Sequence, residues 1–236
     1  MKLNNGIRLT WLGHATFKFE TEGKTFLIDP WVDSNPACPD ELKTFDKLDV
    51  MYITHGHWDH TEDAVPIAKK HSPTVVAMIE VAKWLESKGV QNTIGMNKGG
   101  TVSNYGVKAT MVTANHSSSV TEEDGTTVYM GEPAGFVLEF ANGYKIYHAG
   151  DTNVFGDMQI IGEIYQPDLA LLPIGDHFTM GPREAAYAVK LLKVPAILPM
   201  HYGTFPLLTG TLEEFLKLTA SMDVEIVDLE VGGTLE

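Results

Sequence analysis

The sequence predicts an α/β (α+β) protein in which two sheets pack together under a cover of helices. Three observations carry that expectation. Short runs rich in β-branched and aromatic residues alternate with segments that carry helix signals. One pattern occurs twice: Phe17–Pro30 (FKFETEGKTFLIDP) and Phe136–Asp151 (FVLEFANGYKIYHAGD) each read as a hairpin whose second strand ends in a polar loop. Finally, 236 residues, 44% of them hydrophobic, suffice for a substantial core, and no Pro/Ser-rich linker or charge block interrupts them. One domain spanning 1–236 is therefore expected.

In chain order, strands are expected at Thr16–Glu20, Thr25–Asp29, Val50–Thr54, Val75–Met78, Val107–Thr113, Phe136–Phe140, Lys145–His148, Leu169–Ile174 and Ile197–Met200. Glu22-Gly23 and Asn142-Gly143 supply the hairpin turns. Thr61 is placed to cap a helix carrying Glu62 and Asp63 in its first turn, and Pro182 to open one reaching Lys193. Thr211 with Glu214 forms a capping box for a last helix. The segments Trp31–Phe45, Gly95–Tyr105 and Ser117–Pro133 are long for connections and are expected to wall a cleft.

Composition excludes several functions. Lys and Arg number 17 against 31 Asp and Glu, a net charge of −14, which repels nucleic acid and anionic membranes. No apolar stretch approaches the roughly 20 residues of a spanning helix, and the start MKLNNGIRLTW lacks an apolar leader core, so a cytoplasmic protein is expected. The single cysteine, Cys38, allows neither an intramolecular disulfide nor a Cys-rich metal site, and with no base beside it reads as incidental.

The chemistry concentrates in Thr54-His55-Gly56-His57-Trp58-Asp59-His60, directly after an apolar strand. Three imidazoles and a carboxylate are costly to desolvate unless something binds them, and a divalent cation does. His55 and His57, two apart in an extended loop, point to one side; Asp59 and His60, displaced by the following turn, address a neighbouring second ion. His116, Asp151 and His201 each stand at a strand end opening a loop, where functional groups gather. Ser117, Ser118 and Ser119 lack the setting of a serine nucleophile and read as a flexible polar loop.

H-x-H-x-D-H with the downstream His116, Asp151 and His201 resembles the signature of the metallo-β-lactamase superfamily over nearly the whole chain. WLGHATF, LIDPW, HAGDT, LPIGD-x-FTMGP and PMHYGTFP are similar, more narrowly, to bacterial metal-dependent hydrolases similar to ascorbate-6-phosphate lactonase. The resemblance implies a four-layer αββα sandwich, with one metal on His55, His57 and His116, a second on Asp59, His60 and His201, and Asp151 bridging. Two cations about 3.5–4 Å apart share a solvent molecule and make it a hydroxide near neutral pH. The expected activity is hydrolysis of a small ester or lactone; a phosphodiesterase and a non-catalytic metal-binding module are the alternatives. A di-iron redox enzyme is disfavoured, since those relatives carry a carboxylate in place of His57. Zinc suits the all-N/O ligands best, with manganese, nickel, iron and cobalt admissible.

Other polar residues carry two readings. Asp59 is a catalytic candidate as well as a ligand, His14 a candidate beside the metals, and His177 one for acid catalysis, where the resembling group often has an amide. His148 reads rather as a satisfied core residue and His71 as an exposed helix end. Asp29 reads either as an acceptor that orients a ligand imidazole or as a turn residue before Pro30, and Asp176 shares that ambiguity. Trp31, Trp58, Tyr129, Phe178, Met180 and Tyr202 are candidates for a cleft lining, and Arg183 for an anionic group. A small molecule is the expected partner, and a homo-oligomer is allowed but not required.

Overall fold

Strands form where β-branched and aromatic residues cluster. The computed structural model, which describes Leu3 and residues 6–236, has β1 (Arg8–Gly13), β2 (Thr16–Thr21), β3 (Lys24–Ile28), β4 (Val50–Ile53), β5 (Thr74–Met78) and β6 (Thr93–Met96). There follow β7 (Thr101–Asn104), β8 (Val107–Thr113), β9 (Ser119–Thr121), β10 (Thr127–Tyr129) and β11 (Ala134–Glu139). The last are β12 (Lys145–His148), β13 (Leu169–Pro173), β14 (Ala196–Met200), β15 (Glu225–Ile226) and β16 (Thr234–Leu235). The helices are α1 (Trp58–Thr61), α2 (Ala64–His71), α3 (Ile79–Ser87), α4 (Met158–Tyr165), α5 (Pro182–Leu192) and α6 (Leu212–Thr219). Residues 1, 2, 4 and 5 of the opening segment read above for a leader lie outside the described residues.

The chain divides into two compact units. The N unit runs to Asn97 and adds Ser117–Pro133 and Glu230–Glu236; the C unit holds Lys98–His116 and Ala134–Leu229. Each has one seven-stranded sheet, in the order β16-β1-β2-β3-β4-β5-β6 in the N unit and β7-β8-β11-β12-β13-β14-β15 in the C unit. Read along those orders, both sheets have three antiparallel pairings followed by three parallel ones. The hairpin echo is therefore one part of a repeated topology. In the N unit Glu22 (φ 49°) and Gly23 (φ 71°) give the two left-handed residues that a tight β2–β3 turn needs.

The parallel strands β4, β13 and β14 are buried at every position, as continuous apolar runs in a two-sided sheet should be. In the C unit Ala170, Leu172, Ile174, Ile197 and Tyr147 share a core with Met158 and Ile161 of α4, Ala185, Ala188 and Leu192 of α5, and Phe215 of α6. Helix α5 opens at Pro182 and closes with Lys193 in a left-handed conformation. The Thr211 hydroxyl oxygen accepts from the Glu214 N–H at 3.2 Å, the expected cap of α6.

Three expectations need correction. Thr61 ends α1 rather than capping a helix: the turn at Trp58 is already helical, and the Thr61 hydroxyl donates back to the His57 carbonyl at 2.9 Å. Helix α2 starts later, and Asp63 at its cap position gives its carboxylate to the N–H groups of Val32 and Asp33 instead. Gly95–Tyr105 contains β7, and Ser117–Pro133 folds as the β9–β10 hairpin; polar, three- and four-residue strands leave little periodicity to read. No helix among the described residues is long and apolar enough to cross a membrane.

Candidate metal centre

In the N unit the site is built on Asp29, the residue after β3. It adopts φ 50°, is fully buried, and its carboxylate receives three groups. Oδ1 accepts the Thr54 N–H at 2.8 Å; Oδ2 accepts the Thr54 hydroxyl at 2.7 Å and faces His60 Nδ1 at 2.8 Å. The Thr54 oxygen also lies 3.0 Å from His55 Nδ1. Having given its proton to Asp29, this hydroxyl accepts from His55 Nδ1–H, so one carboxylate sets two tautomers, directly for His60 and through Thr54 for His55. Of the two readings of Asp29, the geometry supports the imidazole-orienting one.

Both rings thereby turn their Nε2 lone pairs to the other side. His55 Nε2 lies 3.0 Å from His57 Nδ1, and the outer His57 Nε2 lies 3.3 Å from Ser117 Oγ. The His55 ring centroid is 4.6 Å from that of His57 and 4.2 Å from that of His60. Fully buried His14 places Nε2 at 3.1 Å from Asp59 Oδ2, and donor atoms of His14, Asp59 and His60 all lie within 4.8 Å of one another. This donor set fits a divalent cation: two nitrogens at zinc distance in a tetrahedral shell stand about 3.3 Å apart, and facing imidazole nitrogens need a shared cation or proton between them.

In the C unit the groups come from separate strand ends. Asp151 follows β12, His201 follows β14, and His116 follows β8. Asp151 Oδ2 lies 3.1 Å from His201 Nε2 and 3.6 Å from His116 Nε2, with Asp151 and His201 buried. Thr152 ties two of these segments together: its hydroxyl oxygen accepts from the Asn115 N–H at 2.9 Å and donates to the Asn153 carbonyl at 2.7 Å, while Asn153 N–H reaches the Asn115 carbonyl at 3.0 Å. Gly175, after β13, leaves no room for a side chain, since a Cβ there would collide with the His201 carbonyl oxygen.

The family model described as "Beta-lactamase superfamily domain" matches residues 24–202. The chain belongs to the metallo-β-lactamase superfamily. Within it, the chain belongs to the UPF0173 metal-dependent hydrolase family. It is 56% identical to a member from Koribacter versatilis, covering 97% of each chain, and 53% identical to one from Rubrobacter xylanophilus, covering 94% of this chain and 92% of the relative. Among solved structures, it matches Igni18, described as a novel metallo hydrolase from the archaeon Ignicoccus hospitalis, with a TM-score of 0.85 and 37% identity over 97% of both chains. The mixed α/β fold with two sheets is that of the superfamily.

Against this superfamily background the remaining candidates separate. His148 is a satisfied core residue, fully buried, with Nδ1 accepting from the Gly150 N–H at 3.1 Å. His177 is exposed, with φ 56° and its ring edge-on to Phe178 at 4.4 Å. Asp176 precedes it with φ 63° and accepts the Thr209 hydroxyl at 3.1 Å. Trp31 and Met180 are not lining residues: at 1% and 2% exposure they are packing. Trp58, Tyr129 and Phe178 are exposed. Burial, with Asp228 adding, pushes the Tyr202 phenol up to about 12, so it keeps its proton at neutral pH. Burial likewise raises the Cys38 thiol to about 11, which removes it as a nucleophile. His71, half-buried at the end of α2 and edge-on to Phe45, is less exposed than expected, and burial lowers its pKa. Arg183 is exposed in the first turn of α5. Ser118 is buried and hydrogen-bonded, which corrects the flexible-loop reading. Sequence reasoning passed over Thr54 and Thr152; their signal was a hydroxyl residue directly before His55 and directly after Asp151.

Proposed function

We propose that this chain hydrolyses a small carboxylic ester or lactone, as one catalytic domain, with two divalent cations, zinc foremost. His55, His57 and His116 hold one, Asp59, His60 and His201 the other, and Asp151 both. The observation that carries the reading is the tautomer order in the N unit, where the outer nitrogens of His55, His57 and His60 each face a partner and leave Nε2, Nδ1 and Nε2 as ligand atoms. In the chain His116 directly precedes Ser117, whose hydroxyl faces His57, and this supports a shared ligand set.

When bound, the cations supply Lewis acidity that activates water at neutral pH and polarises a carbonyl oxygen. The chain's own residues set the conditions for that. Asp29 and Thr54 fix the tautomer and aim of two imidazoles. His14 engages the Asp59 carboxylate and orients it for ligation or for holding a water in line. His177, exposed on the β13 loop between the strands that lead to Asp151 and His201, meets the substrate and sets its preference. The substrate is small, the chain resembles ascorbate-6-phosphate lactonase, and the setting is cytoplasmic.

The test is a paired assay on purified protein with zinc, manganese, nickel, iron or cobalt restored in turn. Cleavage of lactones and aryl esters, with aryl phosphodiesters left intact, is expected, and His57→Ala should lose both turnover and one metal equivalent. The opposite substrate profile makes the protein a phosphodiesterase; metal uptake without turnover on either panel makes it a binding module. Either result overturns the proposal.

A further inference from the structure

The segment Ser117–Pro133 belongs to the N unit, and its attachment there is specific at both ends of the β9–β10 hairpin. At the far end Glu122 accepts the Trp84 indole N–H at 2.8 Å and the Lys88 ammonium at 2.6 Å, both from α3 or its cap. At the near end Ser118 Oγ accepts the Gly56 N–H at 3.1 Å and donates to the Met130 carbonyl at 3.3 Å, while Met130 N–H returns to the Ser118 carbonyl at 3.1 Å. Met130 also lies on Gly56 so closely that a Cβ there would come within 2.6 Å of the Met130 Cβ. The hairpin base is thus pinned to the residue between His55 and His57. Ser117 Oγ then stands 3.3 Å from His57 Nε2.

The three imidazoles of the motif differ in what orients them. His55 and His60 trace to buried Asp29, whereas His57 Nε2 meets Ser117, at the base of this hairpin. We propose that Ser117–Pro133 is a strap whose Ser117 is a positioning residue for His57, held in place by the Glu122 anchor on α3. Ser117 accepts His57 Nε2–H and so keeps Nδ1 unprotonated, the only form of that ring able to ligate through Nδ1. The strap needs its anchor because a two-stranded hairpin of three-residue strands is at best marginal alone. The proposal rests on the ligand reading above and deepens it.

Metal affinity by chelator competition, the visible spectrum of the cobalt-loaded protein and amide hydrogen exchange test it together. Ser117→Ala should weaken one metal equivalent by about 10- to 100-fold, the usual effect of removing a partner of a ligating imidazole, and change the cobalt spectrum. Ser117→Thr, which keeps the hydroxyl, should restore both. Glu122→Ala should speed exchange over residues 119–130 and weaken the same equivalent. If Ser117→Ala binds both equivalents as the parent does while His57→Ala loses one, the strap is overturned and the ligand reading stands. If Glu122→Ala loosens the hairpin without changing affinity, the anchoring role is overturned. If the parent chain takes up no divalent cation, both readings fall.

Discussion

The two units share one strand topology and use it differently. Strands β3 and β12 hold equivalent places, each antiparallel to one neighbour and parallel to the next, and each is followed by a buried aspartate, Asp29 or Asp151. Asp29 is saturated by Thr54 and His60 Nδ1 and acts as an acceptor behind the imidazoles. Asp151 instead meets His201 and His116 through their Nε2 atoms, the face an imidazole offers to a cation. The same fold position thus serves in one unit as the support of a proposed ligand and in the other as a proposed ligand itself. What decides is the neighbouring loop: the one after β4 brings four ligand-type residues within six positions, whereas the one after β13 brings Gly175, Asp176 and His177.

Replacing each aspartate in turn sharpens that contrast. Asp151→Asn should have the largest effect on chemistry, a loss of several kcal/mol of transition-state stabilisation, roughly 10³-fold in kcat, with folding largely retained. Steady-state kinetics beside a thermal melt checks it; a matching loss for Asp29→Asn would erase the proposed division of labour. Asp29→Asn should cost about 10- to 100-fold in metal affinity and lower stability by about 3 kcal/mol, since an amide cannot accept all three donors and strands a buried imidazole N–H. Denaturant titration and metal competition separate those two losses. Thr211→Ala, at the cap of a C-unit helix that carries none of the proposed ligands, should cost about 1 kcal/mol and leave kcat unchanged. A change in kcat there would show that the C unit transmits any loosening to its proposed ligands.

The H-x-H-x-D-H stretch was legible because its residues are adjacent and their desolvation cost needs an explanation. His116, Asp151 and His201 were legible only by position, as polar residues closing apolar runs. The role of Asp29 was half legible: its bonds to Thr54 span 25 residues and exist because β3 and β4 run parallel, which periodicity does not encode. Thr61 misled because a serine or threonine before acidic residues caps helices only where no helical turn precedes it. The β9–β10 strap was hidden by its composition, since Thr, Glu, Asp and Gly read as a loop until Trp84, Lys88 and Gly56 supply its anchors.

The glycines near His201 carry a consequence for engineering. A side chain at Gly175 would strike the His201 carbonyl and one at Gly210 the Ile174 carbonyl, while Gly210 N–H bonds to the Gly175 carbonyl at 3.0 Å. That backbone knot tolerates no diversity. Just beyond it, His177 and Phe178 are exposed. A randomised library confined to 177 and 178 should therefore explore new substrates while the anchor beside it stays fixed.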